Sequence, residues 1–560
     1  MVDGLAARGF PVDGEVTAEA AFGRASRQSL VEIGRVLEIS GGSSQIKLDG
    51  RMLMQLQSDP DPSVSMAGQV GSQIKMRVGD SWLLANVRSL KLDVADGDLI
   101  VAMVDFLGEG DEDRATGEIR NFRRGVTRYP VPGCRIFPVT RADMRQMFSA
   151  AERPHIEVGT IYPTEDVRGA LYVDSMLGKH FALLGSTGTG KSTAAALILH
   201  RICDLAPQGH IVMIDPHGEY SAAFKETGAL FDVGNLAMPY WLMNFEEHAE
   251  VFVTSDGSDR QRDCDILAKC LLAARAKNRA AEGLTKLTVD SPVPYLLSDL
   301  TTMLQNEMGK LDKANDNAPY LRLKNKIDEI KADPRYTFMF SGMLVADSMA
   351  SFLSRIFRLP GEGKPISIID VSGVPSEITS VVVAVLSRMV FDYAIWSRNE
   401  PQRPILLVCE EAHRYVPSDR VSTGAAVRKI LERIAKEGRK YGVSLGLITQ
   451  RPSDLAEGVL SQCGTIIAMR LNNERDQAHV RSAMPEGAKG FLESIPALRN
   501  RECIICGEGV AIPIRVALDT LEPEKRPASG DPSFTELWRE EGGEAEILAR
   551  VIKRWRSQGR

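Results

Sequence analysis

The sequence predicts an α/β fold: a covered parallel sheet carrying a phosphate loop, a small β-barrel ahead of it and an α-helical insertion within it. Three observations lead there. Residues 181–193, Phe-Ala-Leu-Leu-Gly-Ser-Thr-Gly-Thr-Gly-Lys-Ser-Thr, run from an apolar strand into the pattern G-x-x-x-x-G-K-[ST], and residues 194–199 continue as helix formers. Near-continuous aliphatic runs ending in polar residues follow at 210–215, 366–370, 405–410, 443–450, 465–469 and 503–506, as expected of strands buried on both faces. From Ile33 to about Arg135, short β-rich runs alternate with turns such as Ser40-Gly-Gly-Ser43 and Gly108-Glu-Gly-Asp111, which suggests a small antiparallel barrel.

The loop at 185–193 fixes the chemistry. Glycines without Cβ let successive backbone N–H groups curl around phosphate oxygens, and the following helix adds partial positive charge at the same point. Gly185, Ser186, Thr187, Gly188, Thr189, Gly190, Lys191, Ser192 and Thr193 are therefore the expected nucleotide-binding residues. Lys191 reaches the β- and γ-phosphates in such a loop, and the Ser192 hydroxyl ligates Mg²⁺.

At 560 residues the chain is too long for one hydrophobic core and divides into several parts. The expected boundaries are a loose tail at 1–28, the barrel at 29–150, a first part of the nucleotide-binding core at 151–240, the helical insertion at 241–340, a second core part at 341–520 and a C-terminal arm at 521–560. Within the insertion, 259–281, 293–311 and 320–332 have helical spacing and charged faces. The last segment, ending Lys553-Arg-Trp-Arg556, reads equally as an arm packing on a neighbour or as a solvated tail.

A net charge of −6 gives no global field that attracts polyanions, so a nucleic-acid role would rest on local basic residues. The longest apolar stretch, Val381 to Trp396, is broken by Arg388 and Asp392, and no secretory signal is visible, so no membrane partner is expected. Eight scattered cysteines fit a reducing cytoplasm. Cys503 and Cys506 have metal-like spacing but lack a second pair, and they read as small apolar strand residues rather than zinc ligands. Arg120, Arg123, Arg124 and Arg128 form a basic patch that reads as a solvated loop, with a subunit or DNA contact left open.

The carboxyl ends of parallel strands share one edge, where ligands bind, so Lys191, Asp215, Asp370, Glu410, Glu411 and Gln450 should converge. Splitting a phosphoanhydride needs one acid on the Mg²⁺ side and another that orients or deprotonates the attacking water. Glu410 takes the metal-side position and Glu411 the water-side position. Gln450 ends the next strand, where its amide can bond the γ-phosphate or the lytic water. His217 and His413 sit beside these acids and read as hydrogen-bonding residues that orient the site. Residues 425–441 form an amphipathic helix stopped at Gly438. Arg439 is then either part of a solvated helix end or an arginine finger for the γ-phosphate held by an adjacent subunit.

The order of motifs resembles the HerA-type ATPases of the HerA/FtsK superfamily. The likeness is carried by residues 179–193, Ile214-Asp-Pro-His-Gly-Glu-Tyr220, Glu410-Glu-Ala-His-Arg-Tyr-Val-Pro417, Glu437-Gly-Arg-Lys-Tyr-Gly442 and Thr449-Gln-Arg-Pro-Ser-Asp454. The Ile33-Gly-Arg-Val36 region and the segment Cys506-Gly-Glu-Gly-Val-Ala-Ile-Pro513 extend it over nearly the whole chain. The resemblance implies a RecA-like P-loop ATPase core with a HAS-barrel-like N-terminal domain. It implies a homo-hexameric ring around double-stranded DNA that hydrolyses ATP between subunits and translocates. It favours Arg439 as the finger acting in trans and adds Lys179 as a basic residue near the nucleotide. Glu410 departs from the family's commoner Asp. Relatives work with a nuclease such as NurA or with another effector in antiphage defence. The alternatives are an ATP-binding oligomeric scaffold that regulates a partner, and a protein-moving or conjugation-type ATPase.

Overall fold

The computed structural model describes residues 31–93, 97–113, 115–149, 153–310, 317–419, 424–484, 488–528, 534–539 and 544–557; the expected tail at 1–28 lies outside them. Seven strands build the first sheet: β1 (Gly34–Ser40), β2 (Ser43–Asp49), β3 (Gln73–Val78), β4 (Ser81–Leu92), β5 (Leu99–Glu112), β6 (Ile119–Arg124) and β7 (Arg135–Pro138). Their order is β2-β1-β7-β3-β4-β5, and β5 pairs back onto β2, so six strands close into a barrel with β6 attached outside β5. The alternation expected of a closed sheet is plain in β2, where Ser44, Ile46 and Leu48 point inward. Ile46 and Leu48 meet Ile74, Met76, Leu83, Ala85, Val87 and Val104 in the barrel core. The basic patch is not wholly a loop: Arg120, Arg123 and Arg124 belong to β6, Arg120 pairs with Asp113, and Arg124 Nη1 donates to Gly507 O at 3.2 Å.

The second sheet holds β8 (His155–Ile161), β9 (Arg168–Tyr172), β10 (Phe181–Leu184), β11 (Ile211–Asp215), β12 (Gly228–Phe231), β13 (Ile366–Asp370), β14 (Ile405–Cys409), β15 (Val443–Thr449), β16 (Thr465–Met469), β17 (Glu502–Gly507) and β18 (Ile514–Leu518). Its order is β12-β13-β11-β14-β15-β10-β16-β17-β18-β8-β9. The stretch from β12 to β16 is parallel and almost wholly buried. The 503–506 run does not continue that parallel sheet. Met469 pairs with Cys503 and Thr465 with Gly507, so β17 starts at the edge where β16 ends and runs back antiparallel. Cys503 and Cys506 are both buried, and their odd separation along a strand puts them on opposite faces.

Four helices of the inserted region are α1 (Phe245–Phe252), α2 (Gly257–Ala276), α3 (Leu297–Met308) and α4 (Ala318–Ala332). Leu267, Leu271, Leu300, Leu304, Leu323 and Ile327 form their shared apolar interior. Helix α5 (Ser376–Trp396) is long and apolar enough to cross a membrane, yet it packs against β14 and β15 as a core element. Its Arg388 is tied to Glu247 at 2.8 Å and to Asp392 at 2.9 Å. The terminal helix Glu544–Ser557 lies against the chain's own surface, where Val551, Arg554 and Trp555 share a cavity with Pro334 and Phe338.

Candidate active site

The phosphate loop joins β10 to a helix at Lys191–Leu205 whose first residue follows Gly190. Gly188 and Gly190 have φ of +77° and +94°, a region closed to most side chains, which explains glycine at both turns. No side chain caps this helix, so its leading N–H groups keep their hydrogen-bonding capacity for an anion. The loop is held from beneath. Gly185 N–H donates to Thr449 O, Ser186 N–H to Arg470 O, and Thr189 Oγ1 to Ser186 O at 2.8 Å.

Lys191 and Glu410 lie at the carboxyl ends of β10 and β14 and form a buried ion pair, Nζ to Oε1, at 2.5 Å. Glu411 Oε1 stands 3.8 Å from the same ammonium. Burial opposes the charge on Lys191, but the two facing carboxylates outweigh it and hold the lysine above its ordinary range. Almost complete burial pushes Glu410 upward despite Lys191. Burial also acts on Glu411, yet the His413 ring and Lys191 overcome it and hold this carboxyl below its usual range. Two neighbouring acids are thus driven apart, leaving Glu411 the readily ionised one. Glu411 sits at φ +50°, and its Oε2 is buried without an aligned hydrogen-bond donor, 3.2 Å from His413 Nδ1. His413 Nδ1 is in turn 3.0 Å from Thr449 Oγ1.

Gln450, just past β15, reaches the loop, where its Oε1 accepts from Thr187 Oγ1 at 2.5 Å. Asp215 is engaged by its own turn. Its carboxylate accepts the N–H groups of His217, Gly218 and Tyr220 and so folds the turn after β11. That turn delivers a residue the motifs did not single out: Tyr220 is fully buried and donates to Glu410 Oε2 at 2.9 Å, with Ser192 also in hydrogen-bonding reach. Asp370 serves its own loop in the same manner, accepting from Ser372 N–H.

Two expected residues lie elsewhere. Lys179 precedes β10 and Gly185 follows it, so an extended strand separates Lys179 from the phosphate loop of its own chain. Arg439 lies just before β15, at the end opposite Gln450, roughly 20 Å away by strand rise. Lys179 and Arg439 instead share a cavity of about 860 Å³ with Arg124, Lys440 and Glu508. Lys179 Nζ pairs with Glu508 at 2.9 Å, and Lys179, Arg124 and Arg439 together hold the Glu508 carboxyl below its ordinary range.

The donor set suits magnesium nucleotide. An uncapped helix start leaves N–H donors open to an anion, while Ser192 and Glu410 offer hard oxygen ligands of the kind Mg²⁺ takes alongside phosphates. Among the described residues there is no cluster of three or more acidic, histidine or cysteine ligands that would hold a metal without the phosphates' help.

The family description "Helicase HerA, central domain" matches residues 156–390. The chain is similar to the DNA double-strand break repair helicase HerA of Pyrococcus furiosus, 26% identical over 478 residues, covering 78% of this chain and 83% of that protein. It is similar to the probable helicase MJ1565 of Methanocaldococcus jannaschii, 25% identical over 492 residues, covering 85% and 90%. Among solved structures, VirB4 of Thermoanaerobacter pseudethanolicus superposes with a TM-score of 0.48 at 14% identity over 66% of this chain and 98% of that one. The family match contains the whole phosphate loop, and the similarity to HerA helicases continues over most of both chains, so this protein is an ATPase similar to the HerA type over most of its length.

Proposed function

We propose that the protein is a DNA-translocating ring ATPase, a homo-hexamer around duplex DNA that hydrolyses Mg²⁺·ATP between subunits. One observation carries the reading. Lys191, Glu410, Glu411 and Gln450 gather at one end of the sheet, whereas Arg439 and Lys179 gather at the other. A single protomer therefore holds half of each of two sites, and joining them head to tail brings cations to the γ-phosphate of the next subunit.

Ser192 and Glu410 would hold Mg²⁺, which supplies charge neutralisation on the phosphate oxygens. Lys191 leaves Glu410 for the β- and γ-phosphates when nucleotide enters. Glu411 orients the attacking water and takes its proton on Oε2. Gln450 exchanges its Thr187 contact for the γ-phosphate or the water and passes the change to the loop at 451–454. The relatives named as DNA double-strand break repair helicases support a DNA-processing role. The net charge of −6 does not oppose it, because a ring needs basic residues only along its pore. The resemblance further suggests a NurA-like nuclease or a defence effector as partner.

The test is steady-state hydrolysis with and without linear duplex DNA, alongside the mass of the assembly. Hydrolysis accelerated by DNA in a ring-sized particle is expected. A lone monomer, or turnover indifferent to DNA, overturns the motor.

A further inference from the structure

We infer that Arg501 is a second phosphate-gripping cation of the same protomer's nucleotide site, acting on the α- and β-phosphates from the side away from the acids. The inference rests on the nucleotide reading of the loop at 185–193.

Arg501 stands at the carboxyl edge of the sheet, immediately before β17, on the strand order β14-β15-β10-β16-β17. The acids approach the phosphate loop from β14 and Gln450 from β15. Arg501 comes from the opposite flank. Its backbone is locked to the loop: its N–H donates to Thr189 O at 3.0 Å, and its carbonyl accepts from Leu518 N–H at 2.8 Å. Its Cγ lies 3.4 Å from where a Cβ on Gly190 would be, so the side chain runs along the last turn before Lys191. Arg501 has φ +65°, a conformation that costs a residue with a Cβ and persists where surrounding structure imposes it.

The guanidinium has no acidic partner among the described residues. Its recorded contact is a neutral one, the Thr520 hydroxyl. The two carboxylates closest in sequence and pairing are taken by other arginines: Glu502 binds Arg515 at 2.7 Å, and Asp519 binds Arg168 and Arg201. An exposed guanidinium, steered by strained backbone onto a phosphate loop and left without a counter-ion, is built for an anion that planar N–H donors can grip. The γ-phosphate end is already served by Lys191, Gln450 and the acids. Arg501 is therefore assigned the phosphates shared by ATP and ADP.

The experiment is calorimetric titration of the full-length protein and its Arg501→Ala, Arg501→Lys and Arg501→Gly variants with Mg²⁺·ATP and Mg²⁺·ADP, with thermal melts in parallel. Arg501→Ala is expected to weaken both nucleotides by the same factor, roughly tenfold, with Arg501→Lys between it and the parent. In hydrolysis the loss should raise KM more than it lowers kcat. Glycine accepts φ +65° freely, so Arg501→Gly should melt at or above the parent's temperature while losing affinity like Arg501→Ala, which a merely structural role would not produce. Parent-like binding of both nucleotides by Arg501→Ala and Arg501→Gly overturns the proposal. Weaker ATP binding with ADP untouched also overturns it, because the contact would then be to the γ-phosphate. Failure of the parent itself to bind either nucleotide sinks the underlying reading instead.

Discussion

Tyr220 donates its phenolic hydrogen to Glu410 Oε2 at 2.9 Å while Lys191 holds Oε1 of the same carboxylate at 2.5 Å, so Glu410 is gripped at both oxygens inside the protein. The arrangement answers how a glutamate can stand where an aspartate is commoner. The extra methylene would let the carboxylate wander, and a buried phenol fixes it next to Ser192. Tyr220→Phe keeps the ring and removes the donor, leaving a buried carboxylate oxygen unpaired at a cost of about 1–3 kcal/mol. The magnesium concentration needed for half-maximal hydrolysis should rise about tenfold, while nucleotide binding measured without magnesium stays near the parent's. An unaltered magnesium titration would remove Tyr220 from this role.

Glu411 is held below the usual carboxylate range by His413 and Lys191 against its burial, and it carries a buried oxygen with no aligned donor. Glu411→Gln preserves size and cannot accept a proton from water, so ATP should still bind while hydrolysis falls by about a hundredfold or more. Turnover near the parent rate would return the water-activating role to another group.

The acid limb of the pH–rate profile offers a separate check on the same carboxylate. His413 and Lys191 hold the Glu411 carboxyl below its usual range, so the parent should keep its base ionised as pH falls to the ordinary carboxylate range and lose rate only beneath it. His413 stands 3.2 Å from Glu411 and contributes to that depression. His413→Ala should move the acid limb to higher pH, with the direction set by the loss of a group that favours the charged form. A limb that stays in place, or moves to lower pH, contradicts the pairing.

How much of this was open to the sequence varies with the range of the interaction that decides each feature. The phosphate loop and Glu410-Glu411 are local patterns at strand tips, so composition and spacing found them. The closed barrel followed from alternation in runs such as Ser44-Gln-Ile-Lys-Leu48. Direction was hidden: aliphatic content does not distinguish a parallel strand from an antiparallel one, and β17 returns from the edge where β16 stops. Nearness in sequence between Lys179 and Gly185 conceals the extended strand that lies between them. Tyr220 lay in a quoted motif, but its bond to Glu410 spans 190 residues and depends on Asp215 shaping the intervening turn. Arg501 belongs to no local pattern, and its position against Thr189 appears only once β16 and β17 are folded together.

His180, just before β10, ties that strand to β15 and to the helix that precedes it. Its Nδ1 accepts Leu445 N–H at 2.9 Å and its Nε2 lies 3.1 Å from Ala435 O, an arrangement that requires the neutral ring. Burial lowers its pKa from 6.5, with the Ala435 contact opposing only in part. The unfolded chain takes up the proton near 6.5 and the folded one resists, so this contribution to stability is intact above about pH 6.5 and is lost as pH falls below it. His180→Ala should cost about 2 kcal/mol at neutral pH by orphaning the Leu445 N–H, and should flatten part of the pH dependence between 5 and 7. Denaturant melts across that interval decide it, and an unchanged slope counts against the assignment.

Arg439 provides the strictest demand on the assembly. It sits roughly a full strand length from Lys191 of its own chain, so no side-chain rotation brings it to that loop. If its guanidinium completes the neighbour's site, Arg439→Ala should still form rings and bind ATP but hydrolyse at least about a hundredfold more slowly. A ring built only of Glu411→Gln subunits should be equally inactive. Mixed rings differ from both, because an interface pairing the intact acids of an Arg439→Ala subunit with the intact arginine of a Glu411→Gln subunit contains every required group. Mixing the two dead proteins under conditions of subunit exchange should therefore restore hydrolysis to a sizeable fraction of the parent's, with the maximum near equal proportions. An arginine acting within its own protomer, or only through stability, predicts no recovery at any ratio, and that outcome would confine the site to one chain.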